Sequence, residues 1–186
     1  MLVKAIKHSQ HGELLYIEVI DPKLVLTVYS ADVEREIAVG EELSEDDLSY
    51  LSSRDEYYRA TKRALSILSH SDNTARSLVH KLVLKGFSKS AATEAAEYMT
   101  ALGYINETSQ LERIISREAN EALLGPKKIF SRLIPKGYSA SDIKSVMRRL
   151  SESGEVDFVK NLDILYEKRA AFSEEERAKL KHKYGY

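Results

Sequence analysis

The segment KLVLKGFS, residues 81–88, returns as RLIPKGYS, residues 132–139, at an offset of 51 residues. An internal repeat constrains architecture more than any single motif. A supersecondary unit that recurs at a fixed period is folded repeatedly, and each copy buries its apolar face against the next. The likeness extends outward at the same offset. Leu78, Val79, Leu82 and Val83 align with Ile129, Phe130, Leu133 and Ile134, the spacing of a helical core face. Beyond the corner, Ala92, Ala95, Ala96 and Met99 align with Ile143, Val146, Met147 and Leu150, an i, i+3, i+4, i+7 stripe, and Gly103 meets Gly154. The smaller set in the first copy predicts that its third helix packs closer to its neighbours.

The repeated phrase encodes a corner between helices. Gly86 and Gly137 follow an apolar-periodic helix, where glycine takes the left-handed C-terminal cap without a Cβ penalty. The next residue is aromatic and able to fold back on the last helical turn. Ser88 and Ser139 then stand where a hydroxyl caps the following helix, and Asp142 strengthens the second cap. Carrying the offset further aligns Asn106, Leu111 and Ile114 with Asp157, Leu162 and Leu165, so each unit has three helices.

This reading places a first repeat at 55–105, opened by a helix over 55–70, a second at 106–156, and a partial third at 157–186. In the third, Ser173 and Glu176 form a capping box after Phe172, KLKHKYGY echoes the corner, and the third helix is missing. Residues 1–54 have another rhythm. LVKAIKH, ELLYIEVI and KLVLTVYS are short β-branched or aromatic runs separated by QHG and DP, an antiparallel meander. DVEREIA reads as a short helix, Ser44 and Asp47 cap another through DLSYL, and no loop longer than about six residues is needed. The expected fold is mainly α, with tandem three-helix repeats forming an elongated curved stack after a small N-terminal antiparallel β element.

Composition excludes several classes. The absence of cysteine removes disulfides and thiolate metal sites, and the N-terminal run lacks the apolar core of an export signal. No window approaches the ~20 apolar residues of a membrane span, so the expectation is a soluble, cytoplasmic protein. There is no Gly-Lys-Ser phosphate loop, GxSxG elbow or HExxH, and the histidines are scattered at 8, 11, 70, 80 and 182. Neither catalysis nor a metal or other cofactor is expected. Tyr57, Tyr58, Tyr98 and Tyr104 read as packing residues at repeat junctions.

Charge is divided unevenly. Residues 1–54 carry 5 basic and 11 acidic side chains, and residues 55–186 carry 23 and 18. The acids Glu34, Glu36, Glu41, Glu42, Glu45, Asp46 and Asp47 suit solubility or a basic protein surface. Between Gly125 and Leu150 stand Lys127, Lys128, Arg132, Lys136, Lys144, Arg148 and Arg149 against the single acid Asp142. Lys128 with Arg132, and Lys144 with Arg148, are four apart and opposite the apolar stripe, giving two basic ridges suited to tracking phosphates. Reversing those four is expected to abolish binding with the fold intact. Arg76, Lys81 and Lys85 form a weaker equivalent, offset by Glu94 and Glu97. The bland reading of each ridge is a solvated face.

The segments ALSIL, SLVHKLVLKGFS, MTALGYINE and GPKKIFSRLIPKGYSASDI, in this order and at this spacing, resemble the RecX family of bacterial regulators of the RecA recombinase. VYSADVEREIAVGEELSEDDL resembles the N-terminal segment of some members, so the likeness covers most of residues 1–156. INE stands where the family usually has an aspartate, and the last repeat lacks the corner and helix of longer members. The resemblance implies a non-enzymatic modulator, an inhibitor, that lies in the groove of the RecA–DNA filament and limits its assembly or ATP turnover. It also implies a monomer that meets the filament and single- or double-stranded DNA, in recombinational DNA repair and the SOS response, away from membranes. The residues alone leave open a helix-turn-helix transcription factor, although SASDIKSVMRRL offers mainly charge rather than amides for base edges. A structural or adaptor role comes third.

Overall fold

In a computed structural model, residues 1–20, 23–170 and 173–186 are described. The expected Asp21-Pro22 turn and Phe172 lie outside the described residues. The chain divides into two compact units, one of residues 1–71 with 78–102, the other of residues 72–77 with 103–186.

The first unit opens with the expected meander: β1 (Leu2–His8), β2 (Leu14–Ile20) and β3 (Leu24–Tyr29), antiparallel in the order β1-β2-β3. Alternation along the strands turns Val3, Ile17, Val19, Leu26 and Val28 inward, where they pack with Leu43 and Leu51. β3 is an edge strand whose free Thr27 amide donates to Asp55 Oδ1 at 2.9 Å, so a side chain from α1 (Glu45–Leu68) covers it. Asp55 in turn accepts from Arg59 at 2.8 Å. The helix α1 packs on α3 (Lys89–Ala101) through small buried residues, Ala60 and Ala64 on one and Ala92, Ala95 and Ala96 on the other.

Two helices expected on either side of residue 54 are one. Ser44 and Asp47 form a reciprocal capping box at its start, and with neither glycine nor proline between residues 45 and 68 nothing stops it. DVEREIA is not a helix, which corrects that expectation. Only Ser30–Asp32 form a 3-10 turn, and the following residues run to Ser44 as a connector longer than expected. Arg35 is drawn out to Glu41 (2.5 Å) and Asp47 (3.0 Å), while Gly40 and Leu43 donate backbone bonds to Val3 and Met1. Those partners offset the helical bonds the segment forgoes.

In the second unit, α4 (Glu107–Asn120), α5 (Pro126–Leu133) and α6 (Ala140–Glu152) enclose Leu111, Ile115, Ile129, Leu133, Ile143, Val146 and Leu150. Helices α7 (Phe158–Lys168) and α8 (Glu174–Tyr184) follow. Asn106 caps α4 and Asp157 caps α7, so the asparagine of INE does the work of its aspartate counterpart. Ser88 and Ser139 cap α3 and α6 as the repeat requires. Val83 and Ile134, expected in the core, are exposed by 42% and 40%. The stripe is one residue narrower than its spacing suggests, by the same margin in both copies.

The corner glycines carry two constraints. Gly86 (φ +92°), Gly137 (φ +97°) and Gly185 (φ +82°) all adopt the left-handed conformation. Gly137 also seats against the start of α2 (Ala75–Leu84), where a Cβ would lie 2.6 Å from Thr74 Oγ1. Gly185 seats in the same way against the start of α5, where a Cβ would lie 2.4 Å from the Lys128 backbone nitrogen. Nothing lies within 4 Å of such an atom at Gly86. Gly137 thus docks on residues 74–77 of its own unit and Gly185 on the first turn of α5. The Thr74 hydroxyl donates to the Lys136 carbonyl at 3.1 Å, and the Tyr184 and Gly185 carbonyls accept from the amides of Gly125 (2.7 Å) and Lys127 (3.0 Å). Tyr138, expected to fold back on its own helix, is buried in the same core as Ile129 and Leu133 of α5, and its hydroxyl donates to Gln110 Oε1 on α4 at 2.9 Å.

Candidate nucleic-acid interface

Gly125 and Pro126 start α5, since proline at the first helical position loses no bond. With Ile129 and Leu133 fully buried, Lys127, Lys128 and Arg132 are left on the exposed side. A second proline, Pro135, tightens the end into a 3-10 turn over Ile134–Lys136 and leaves Lys136 exposed at the corner. On α6 the burial of Ile143, Val146, Met147 and Leu150 turns Lys144, Arg148 and Arg149 outward. Lys144 reaches back to α5, its ammonium 5.9 Å from the centre of the Phe130 ring.

All seven cations are exposed, but they are not equally free. Arg132 pairs with Glu118 of α4 at 3.3 Å, and Arg149 pairs with Glu112 of the same helix. Arg148 and Glu152 stand 3.9 Å apart, both largely in solvent. Lys127 donates to the Tyr186 carbonyl at 3.3 Å. Among the described residues, no carboxylate pairs with Lys127, Lys128, Lys136 or Lys144. The ridge spacing picks out Lys128, Arg132, Lys144 and Arg148 as one set, and the structure divides it. Glu118 is buried, its Oε2 has no partner, and Arg132 holds Oε1. Reversal of Arg132 would set two carboxylates together, so the pairing with Glu118 argues against an undisturbed fold at that residue.

The weaker set is divided too. Arg76 belongs to the second unit, where its Cβ stands 3.6 Å from the position a Gly137 Cβ would take, beside the corner that carries Lys136. Lys81 and Lys85 belong to the first unit. They line a 610 Å³ cleft with Leu84, with Arg63 and Ile67 of α1, and with His70 just past the end of that helix. Sequence reasoning passed over Arg63 and His70. Their seven-residue separation in the sequence, with Ile67 between, is the signal that would have found them, although His70 lies just past the helix end. Among the described residues, no group of three metal-ligating side chains converges, and no helix is long and apolar enough to cross a membrane.

No family model matches the chain. The regulatory protein RecX of Clostridioides difficile is 24% identical over 139 residues, 74% of this chain and 65% of that protein. Those of Caldanaerobacter subterraneus and Clostridium tetani are 28% identical over 114 residues and 24% over 149, spanning 57% and 68% of their lengths. The chain thus spans less than two thirds of the first two. A crystal structure of a regulatory protein RecX matches 96% of this chain and 89% of its own, with a TM-score of 0.69 and 20% identity. The RecX of Lactobacillus salivarius matches 70% of this chain and 86% of its own, with a TM-score of 0.57.

Proposed function

We propose that this chain, which belongs to the RecX family, is a non-enzymatic regulator of the RecA recombinase, binding the RecA–DNA filament and limiting its assembly or ATP turnover. The observation that carries the reading is the exposed α5–α6 face, where Lys127, Lys128, Lys136 and Lys144 have no acidic partner among the described residues. Ammonium groups on short, well-packed helices neutralise phosphates and release counterions without reading bases. That suits a contact that follows a filament of any sequence. In this reading the repeats at 55–105 and 106–156 form the body of the regulator, the protein acts in the cytoplasm, and its setting is recombinational repair and the SOS response.

The test is RecA-driven ATP hydrolysis on single-stranded DNA with the purified chain added below stoichiometry. Slowed turnover is expected. Unchanged turnover, together with selective binding of one defined duplex, would replace this reading with that of a helix-turn-helix DNA binder.

A further inference from the structure

The first unit carries a second polar recess, distinct from the cleft of Lys81 and Lys85. Tyr29, Tyr57 and Tyr98 line a 490 Å³ pocket together with Glu13, Ser30 and Asp32. The rings stand edge to face, Tyr29 and Tyr57 with centres 5.9 Å apart and planes at 60°, Tyr57 and Tyr98 at 6.5 Å and 72°. Successive planes set steeply to one another form walls rather than a stack, and aromatic walls attract cations. One oxygen of Asp32, Oδ2, is buried and has no hydrogen-bond partner. Burial pushes its carboxyl above the usual range, the mark of a carboxylate short of a counter-charge.

The charge of Arg54 opposes that rise without cancelling it. Arg54 is held by Glu94 at 2.7 Å and lies 5.1 Å from the centre of the Tyr57 ring. The charged residues that line the pocket are Glu13 and Asp32, so its lining is acidic. We infer that this pocket receives one arginine side chain of a protein partner, its guanidinium paired with Asp32 and flanked by the tyrosine rings. Arginine fits better than lysine because a planar guanidinium stacks on an aromatic face while one of its N–H groups pairs with a carboxylate. The inference goes beyond the proposed function and does not rest on it.

The test is a solution NMR titration of the full chain with the capped tripeptide Gly-Arg-Gly, with the citrulline analogue as the uncharged control. Saturable shifts of the Tyr29, Tyr57 and Tyr98 ring protons are expected, with a dissociation constant on the order of 1 mM for so small a probe. Asp32→Asn should weaken the arginine peptide by about tenfold or more. Tyr98, itself 40% exposed, gives a second pair of variants that spare the core. Tyr98→Phe should retain binding and Tyr98→Leu should lose it. Equal response to citrulline, or unchanged affinity in both Asp32→Asn and Tyr98→Leu, would overturn the assignment.

Discussion

Replacing Lys127, Lys128, Lys136 and Lys144 together by glutamine removes the cations of the α5–α6 face that have no acidic partner among the described residues. For single-stranded DNA each neutralised phosphate contributes about 0.7 to the slope of log K against log salt. If all four meet phosphates, the slope should become shallower by about 3, and at 0.1 M salt the affinity should fall by about 10² to 10³-fold. Fluorescence anisotropy of a labelled oligonucleotide across a salt series gives both quantities. Stability should change by no more than about 0.5 kcal/mol, because the four side chains are exposed and hold no carboxylate in place. Arg132→Gln is the contrasting variant. It strips the buried Glu118 of its cation and should cost about 1–3 kcal/mol in urea unfolding, with a smaller effect on the salt slope. An unchanged slope in the lysine variant would refute the assignment of phosphate contact to this face. A slope lost equally in Arg132→Gln, with no loss of stability, would refute the division of free from committed cations.

Two further outcomes follow from the fold. Gly86→Ala and Gly137→Ala meet the same left-handed penalty of about 1–2 kcal/mol, but only the second pushes a Cβ to 2.6 Å from Thr74 Oγ1. Gly137→Ala should therefore be the more destabilising in chemical unfolding by at least about 1 kcal/mol, and equal costs would show that the seat on Thr74 yields freely. The second outcome is spectroscopic. Burial pushes the Tyr29 and Tyr186 phenols up from 10.0 to about 12. A phenol raised in the folded state keeps its proton after the unfolded chain has lost it. Stability from these two groups is therefore complete below pH 10 and is lost as pH climbs from 10 towards 12. Burial raises the Tyr57 and Tyr138 phenols as well, so ultraviolet titration of tyrosinate should show a late fraction that includes Tyr29 and Tyr186 among the 11 tyrosines, and a single transition near 10 would contradict it.

What the sequence made legible was local. Caps at Ser44, Ser88, Asn106, Ser139 and Asp157 follow from one side chain and an amide two or three residues on, and the corner glycines follow from the end of a stripe. Each needs only a few neighbouring residues to be recognised. The partners of the cations lie at longer range. Glu118 is 14 residues from Arg132, and Glu112 is 37 from Arg149, both on a helix outside the basic window, so a charge count along the chain overstated the free charge. Arg76 was grouped with Lys81 and Lys85 by helical spacing, but its neighbour Gly137 comes from the next copy of the repeat. DVEREIA reads as a helix by propensity until Arg35 finds two carboxylates beyond the segment, and tertiary bonds then decide its path.

The docking of Gly185 on α5 bears on how an anion is received there. The free amides that begin a helix are ordinarily a ready cradle for an anionic oxygen, demanding in direction and distance. At α5 that cradle is filled from within, because the carbonyls of Tyr184 and Gly185 already accept from Gly125 and Lys127. Under the proposed function, a nucleic-acid backbone arriving at this face would find ammonium groups on long tethers rather than a directional socket. Tethered charges follow a moving phosphate over several ångströms where a socket would hold it in one place. In the proposed contact with nucleic acid, such a face would keep hold of a strand that slides past it.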